Sequence, residues 1–172
     1  MPLNVTFAGE TMDRSEIHDK FIKEFHYGEV EKPTMDEIRQ IEIELNTVLP
    51  QSYIEFLSNY GEAYAPSLLD LVVDEDSELH DLQNITSVKK TIEATKLYWS
   101  GGMPDDLIGL GNDSMGNMFC FKKIDRASER PDDLPVWFFD HDFAEVSRIS
   151  NSFDSWLEAF IVLKKSANKG VE

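Results

Sequence analysis

Apolar side chains recur every three or four residues in the first third of the chain, a spacing that predicts helices with one buried face. Asp13 and Glu16 fit a capping pair at the start of a helix over residues 13–27, and Gly28 can end this helix. Its apolar stripe consists of Ile17, Phe21 and Phe25.

Two further helices are predicted downstream. Thr34 and Glu37 form a capping-box pattern, because a hydroxyl and a carboxylate at this spacing satisfy each other's orphan amides. Pro50 suits the first turn of the next helix, and Gly61 can stop that helix by adopting a left-handed conformation. The apolar positions of the two helices are Ile38, Ile41, Leu45, Val48, Tyr53, Phe56, Leu57 and Tyr60.

The second half of the chain changes period, because short apolar or alternating runs are separated by Gly, Asn, Pro and Asp. This pattern indicates an antiparallel meander. The predicted strands are SLLDLVV (Ser67–Val73), DLIGLG, NMFCFKKI, PVWFFD and AEVSRIS. The segment TSVKKTIEATKLYWSGG, after the first of these, has helical register instead. A last helix begins near Ser152, with its apolar positions at Phe153, Trp156, Leu157, Phe160 and Ile161.

This order of elements predicts an α+β fold, in which a mostly antiparallel β-sheet meander is flanked by N-terminal helices and a C-terminal helix. At 172 residues the chain can fill one hydrophobic core, and no Gly/Ser/Pro-rich linker divides it. We therefore predict one domain, with loose ends over about the first ten residues and from Ser166 onward.

The chain carries 33 acidic and 16 basic residues, which gives a formal net charge of −17 at pH 7. Charge of this sign repels phosphate backbones and anionic bilayers, so we expect neither direct nucleic-acid binding nor membrane binding. The same charge would steer a basic partner toward the protein. The alternative interpretation is solubility alone, since excess acidic charge also keeps proteins dispersed.

The location of the protein is predicted from what the sequence lacks. Its one cysteine, Cys120, excludes an intrachain disulfide. The start of the chain has neither a basic segment nor an apolar run, and no stretch of about 18 apolar residues occurs. We therefore expect no signal peptide, no membrane span and a cytoplasmic location.

The segment GLGNDSMGNMFCF (Gly109–Phe121) begins like a dinucleotide-binding loop, but a serine replaces the third glycine and the chain continues as a strand. Because such a site needs a helix N-terminus, we reject it in favour of a strand–turn–strand. In that hairpin Phe119 and Phe121 point to one face, and Met118 and Cys120 to the other. Cys120 is then a small apolar side chain rather than a nucleophile.

Two acidic segments offer further candidates for chemistry. DEDSELHDLQNI (Asp74–Ile85) begins like a calcium-binding loop, but a leucine and an isoleucine occupy the places of its turn glycine and bidentate glutamate. A hydrolase could use Asp140, His141 and Asp142 for acid–base chemistry. On an extended chain, however, His141 points away from the two aspartates, and an Asp-rich turn explains all three. We predict no catalytic residue, no cofactor and no metal site.

Three stretches, in this order, resemble the SUKH superfamily, which groups fungal cell-wall-synthesis regulators of the Smi/Knr type with many bacterial immunity proteins. The first is LPQSYIEFLSNYGEAY (Leu49–Tyr64). The second is LIGLGNDSMGNMFCF, and the third is PVWFFDHDFAEVSRISNSFDSWLEAFI. Glu62 and Asn117 depart from the family pattern, which often has a second glycine and an aspartate at these places.

The resemblance covers roughly residues 34–163, so we expect these residues to be the core of a single SUKH-like domain over residues 1–172. The helix over residues 13–27 would then be an addition, and residues 166–172 a loose tail. The resemblance implies no catalytic activity. Bacterial members commonly bind and neutralise a cognate toxin of a polymorphic or contact-dependent toxin system, whereas fungal members act as signalling and scaffold proteins.

We therefore predict an immunity protein that binds a basic toxin, such as a nuclease, through its acidic exterior. A regulatory or scaffolding module is the first alternative, and an acidic hydrolase is the second. The candidate partner-binding residues are all acidic: Asp74, Glu75, Asp76, Glu78, Asp113, Asp132, Asp133, Asp140 and Asp142. Each of them also fits the simpler interpretation of an ordinary solvated loop residue.

Overall fold

The computed structural model describes residues 11–170, which form six helices and six strands. The helices are α1 (Arg14–Phe25), α2 (Met35–Leu45), α3 (Gln51–Tyr60), α4 (Ser67–Asp74), α5 (Val88–Ser100) and α6 (Phe153–Lys169). The strands are β1 (Ala63–Tyr64), β2 (Asn84–Ile85), β3 (Leu107–Asn112), β4 (Met118–Lys122), β5 (Val136–Asp140) and β6 (Glu145–Ser150). The predicted α+β class is confirmed.

The strands form one antiparallel sheet in which each strand pairs with its neighbour in the sequence, from β1 to β6. Strands β3 to β6 coincide with the last four predicted strands, so the predicted meander is confirmed. The sequence did not predict β1 and β2, because two residues each are too few for an alternating pattern.

The sheet separates two hydrophobic clusters, one on each face. Phe119 and Phe121 of β4 belong to the larger cluster, which contains the buried stripes of α1, α2, α3 and α6. Met118 and Cys120 belong to the smaller cluster, together with Phe139 and side chains of α5. The predicted alternation along β4 is confirmed, and burial raises the pKa of the Cys120 thiol well above its usual range.

Several of the predicted capping residues are found at the ends of the helices. The Asp13 side chain accepts a hydrogen bond from the Glu16 amide at the start of α1. Thr34 and Glu37 make both hydrogen bonds of a capping box at the start of α2. Gly61 ends α3 with a φ of 74°, and a Cβ at this position would collide with the carbonyl oxygen of residue 31.

The prediction of a strand at Ser67–Val73 is wrong, because this segment forms helix α4. Leu68 and Val72, four residues apart, are buried, whereas Leu69 and Val73 are exposed. A short run of leucine and valine fits a strand and a half-buried helix equally well, and periodicity alone does not separate the two.

The end of the last helix also differs from the prediction. α6 continues to Lys169, so residues 166–169 are helical where the sequence predicted a loose tail. Gly170 caps this helix, and the remaining predicted loose ends, residues 1–10 and 171–172, lie outside the described residues.

Helix α1 ends at Phe25 rather than at Gly28, and the chain then turns toward β1. The Tyr64 amide donates to the His26 ring Nδ1 at 3.0 Å, and the Tyr27 amide donates to the Tyr64 carbonyl at 2.8 Å. These two hydrogen bonds place residues 26–27 along the outer side of β1.

Candidate functional site

Three segments that each contain at least one acidic residue meet at one end of the sheet: loop 75–83, the β3–β4 turn (112–117) and the β5–β6 turn (140–145). The Asn117 side-chain oxygen accepts the His141 amide at 3.1 Å and lies 2.8 Å from the His141 ring Nδ1. The Ser114 amide donates to Asp81 Oδ2 at 3.0 Å. We call these three segments the acidic turn surface.

Asp113 builds the β3–β4 turn and is itself buried. Its Oδ1 accepts the amides of Met115 and Asn117, at 2.9 and 2.8 Å, and its Oδ2 accepts the Asn117 side-chain amide at 2.9 Å. Helix α5 supports the same turn, since the Tyr98 hydroxyl donates to the Gly116 carbonyl at 2.6 Å. Asp113 therefore fixes the turn that presents Met115, while its own carboxylate is occupied inside the fold.

Asp140 is the last residue of β5, and His141 and Asp142 lie in the tight turn that follows it rather than on an extended chain. Asp140 Oδ1 accepts the amides of Asp142 and Phe143, at 3.0 and 3.2 Å. Ala144 completes the turn with a φ of 53°. The turn brings His141 Nε2 to 3.3 Å from Asp142 Oδ1, so the prediction that His141 points away from both aspartates is wrong for Asp142.

The acidic turn surface exposes carboxylates together with two large apolar side chains. The Asp142 side chain is 68% exposed, and Glu145 is exposed beside it. Phe143 is 75% exposed and Met115 is 70% exposed. The three segments contain no lysine or arginine. This surface therefore combines a negative potential with apolar side chains of the types that are enriched in protein–protein interfaces.

Phe143 and Met115 are not among the partner-binding residues predicted from the sequence. The sequence feature that could have identified them is the presence of an aromatic residue and a methionine inside predicted turns that are otherwise polar. A large apolar side chain in such a turn has only polar neighbours in the sequence, so it is a candidate for contact with a partner.

Loop 75–83 adds further acidic groups to this end of the molecule. The exposed acidic residues at the end of α4 and in the loop are Asp74, Glu75, Asp76 and Glu78. Because carboxylates are unfavourable near a helix C-terminus, local helix stability does not explain them. The loop is anchored where the His80 ring stacks on Phe138 of β5, with 3.8 Å between the ring centroids.

Asp133 lies before β5, at the opposite end of that strand from the acidic turn surface. Its Oδ1 accepts the Phe153 amide at 2.9 Å and the Ser52 hydroxyl at 2.8 Å. Burial, together with the nearby charge of Asp154, raises the pKa of the Asp133 carboxyl. Asp133 therefore joins the start of α6 to α3.

Asp132 is held by Arg14 of α1, whose two terminal nitrogens lie 3.0 and 2.8 Å from the two carboxylate oxygens. Arg14 Nε also donates to Asp154 Oδ2 at 2.8 Å, and Asp154 Oδ1 lies 2.7 Å from His18 Nε2. Burial acts to raise the pKa of the Asp154 carboxyl, but the hydrogen bonds from His18 and Arg14 outweigh it and lower that pKa. This network joins α1 to α6 and leaves Asp132 and Asp133 apart from the acidic turn surface.

A cavity of about 520 Å³ lies between α2 and α5, and none of its lining residues belongs to the acidic turn surface. Glu31, Glu62, Lys32 and Lys89 are among them, so side chains of both signs line it and favour no single class of ligand. Within residues 11–170, no group of three or more His, Cys, Asp or Glu is placed to hold a metal ion. No helix in the same range combines the length and the apolar content that crossing a membrane requires.

The chain matches the sequence model of a known protein family. Residues 32–159, well over half of the chain, match the sequence model of the SMI1/KNR4 family (SUKH-1). No curated protein matches the chain. The matched region contains all three segments of the acidic turn surface and excludes α1. The resemblance to the SUKH superfamily is thereby confirmed, and the chain belongs to the SMI1/KNR4 family (SUKH-1).

Proposed function

We propose that this protein is an immunity protein, which binds a basic protein toxin in the cytoplasm and neutralises it without chemical turnover. The observation that carries the proposal is the acidic turn surface, where exposed carboxylates of loop 75–83 and of the β5–β6 turn lie at the same end of the sheet as Phe143 and Met115, and where no lysine or arginine is present. Membership of the family supports it, because bacterial SUKH proteins commonly act in this way.

The charge of the molecule fits such a partner. A toxin that cleaves nucleic acid holds phosphates with lysine and arginine, and an acidic protein can occupy the same side chains. The formal net charge of −17 would speed the encounter with a basic surface. Phe143 and Met115 would supply apolar contact, which acts mainly on the rate of dissociation.

The proposed contact residues are the exposed acidic residues at this end of the sheet and the two apolar side chains beside them. They are Asp74, Glu75, Asp76, Glu78, Asp142, Glu145, Met115 and Phe143. Asp140 is half-buried and would contribute by holding the β5–β6 turn through the amides of Asp142 and Phe143. Asp113 and Asp133 would contribute from inside the fold, by holding the β3–β4 turn and the start of α6.

Co-expression with the product of the adjacent gene tests the proposal. We expect that product to arrest growth when it is produced alone, and to be harmless and to co-purify when this protein is present. Growth arrest that persists in the presence of this protein, without co-purification, would overturn the proposal. A harmless product that co-purifies would favour a regulatory or scaffolding role instead.

A second measurement separates binding from catalysis. The toxin is released from the complex by a denaturant, refolded alone and examined by mass spectrometry. We expect an unchanged mass and full recovery of toxicity, because binding leaves the toxin chemically intact. A changed mass would show that this protein acts as an enzyme.

A further inference from the structure

The two edges of the sheet differ in how their backbone groups are used. Residues 26–27 cover the outer side of β1 through the hydrogen bonds with Tyr64. At the other edge β6 pairs with β5 alone. Among the described residues, no other backbone segment pairs with the outer side of 145–149. Such an edge is a row of free N–H and C=O groups and can accept another strand.

Strand β6 has the length and the exposure that strand addition needs. It contains six residues, and residues 145–148 pair with β5 in a regular register before an irregularity near Val136. These four residues are all exposed, including Val146 at 38%. Charged side chains are a common protection of such edges, and Arg148 is the only basic residue in β6.

We infer that β6 accepts an extended segment of the partner protein, which would continue the sheet as a seventh strand. This inference rests on the proposed function and specifies how the toxin is held. The open edge begins at the acidic turn surface, since Glu145 is both the end of the β5–β6 turn and the first residue of β6. Main-chain hydrogen bonds along β6 would therefore extend the contact that the acidic turns begin.

The side chains along β6 define the chemistry of that segment. Near Glu145 and Asp142 it should carry lysine or arginine, because both carboxylates are exposed. Opposite Val146 an apolar side chain fits, since Val146 is paired across the strands with Phe139.

The far end of β6 favours the opposite charge. Arg148 is paired with Trp137, and Lys122 Nζ lies 3.9 Å from the centre of the Trp137 ring on the same face. Two cations at this end disfavour a third one, so the segment should carry a neutral or acidic residue there. A second copy of this chain is a poorer occupant, because each copy carries a formal net charge of −17.

Proline substitutions in β6 test the inference with the full chain. Consecutive residues of an antiparallel strand direct their amides to opposite edges, so one of Ser147 and Arg148 donates toward β5 and the other points outward. We expect one of the variants Ser147→Pro and Arg148→Pro to unfold at a lower temperature, and the other to keep the wild-type unfolding temperature.

The stable proline variant carries the binding test. It should bind the product of the adjacent gene about 10-fold or more weakly than wild type, because it removes an outward amide and blocks the edge. Ser147→Ala and Arg148→Ala keep the main-chain amide and should stay within about 3-fold of wild type. Wild-type affinity of the stable proline variant overturns the inference and leaves the proposed function intact.

Hydrogen exchange gives a readout without any substitution. Complex formation should slow exchange of the outward amides within residues 146–149 by about 100-fold or more. Protection confined to residues 75–83, 112–117 and 140–145 overturns the inference. So does full protection of residues 146–149 in the free protein, since another part of the chain or a second copy would then cover the edge. Failure of the wild-type protein to bind overturns both this inference and the proposed function.

Discussion

At the scale of single residues, a substitution at Phe143 tests whether the acidic turn surface binds a partner or is only solvated. We expect Phe143→Ala to weaken binding of the toxin by about 10-fold or more, because exposed aromatic side chains dominate interface energetics. The unfolding temperature should not change, since this side chain is 75% exposed. Titration calorimetry and thermal unfolding measure the two effects.

Ile43→Ala is the matched control for this prediction. Ile43 lies on α2 and is 60% exposed, but it does not belong to the acidic turn surface. Its variant should bind within about 2-fold of wild type. Equal losses for Phe143→Ala and Ile43→Ala would show that the acidic turn surface has no special part in binding.

Asp154 is an acidic residue that acts inside the fold, through its contacts with Arg14 and His18. We expect Asp154→Ala to lower the free energy of unfolding by about 2 kcal/mol at neutral pH, because it removes charge-assisted hydrogen bonds. Since the folded pKa lies below the ordinary value of 3.8, this stabilisation is present above that value. It is lost as the pH falls through the folded pKa.

Urea unfolding at about pH 7 and about pH 2.5 checks the sign of this effect. The difference between wild type and Asp154→Ala should be large at the higher pH and small at the lower one. Asp142→Ala, whose side chain is 68% exposed, should change stability little at either pH. An undiminished difference at low pH would mean that Asp154 stabilises the fold by packing rather than by charge.

At the scale of elements, α1 lies outside the region that matches the family but contributes to the core. Ile17, Phe21 and Phe25 are almost fully buried, and the Phe21 and Phe160 ring centroids are 6.3 Å apart. We expect Phe21→Ala to cost about 3–5 kcal/mol, a large share of the total stability of a typical domain. Deletion of residues 1–28 should therefore abolish cooperative unfolding, as measured by calorimetry.

The exposed neighbour Tyr27 provides the control for α1. Tyr27→Ala should leave the unfolding temperature close to that of wild type, because the side chain is 74% exposed. If the protein without residues 1–28 unfolded cooperatively at the wild-type temperature, α1 would be an accessory element rather than part of the core.

The sequence predicts elements well where local chemistry determines them. The Thr34–Glu37 capping box and the period of α6 are recognisable because each depends on residues a few positions apart. Ser67–Val73 forms α4 rather than a strand because tertiary burial of Leu68 and Val72 decides between two locally acceptable structures. The hydrogen bonds that join residues 26–27 to Tyr64 connect distant parts of the sequence, so no local sequence pattern predicts them.

At the scale of the whole molecule, the candidate site follows from the topology of the sheet. Strands of a meander alternate in direction, so every second turn lies at the same end. This places the β3–β4 and β5–β6 turns side by side and puts Asp132 and Asp133 at the other end of β5. Composition alone predicts an acidic exterior, but it does not distinguish the carboxylates of the acidic turn surface from Asp132 and Asp133. The burial of Asp113 depends on the geometry of its turn, which the sequence pattern does not contain.

A charge reversal distinguishes a localised acidic surface from a diffuse negative charge. Asp142→Lys and Glu93→Lys change the net charge by the same amount, but Glu93 lies on the exposed side of α5, outside the acidic turn surface. At low salt we expect Asp142→Lys to lower the association rate by about 10-fold and Glu93→Lys by about 2-fold. Stopped-flow measurements should show that this difference in association rate between the two variants becomes smaller as sodium chloride is added. The reason is that the Debye length falls from about 30 Å at 0.01 M to about 3 Å at 1 M salt. Equal slowing by both variants would mean that net charge alone guides the encounter, and that the partner does not dock at the end of the sheet where these turns meet.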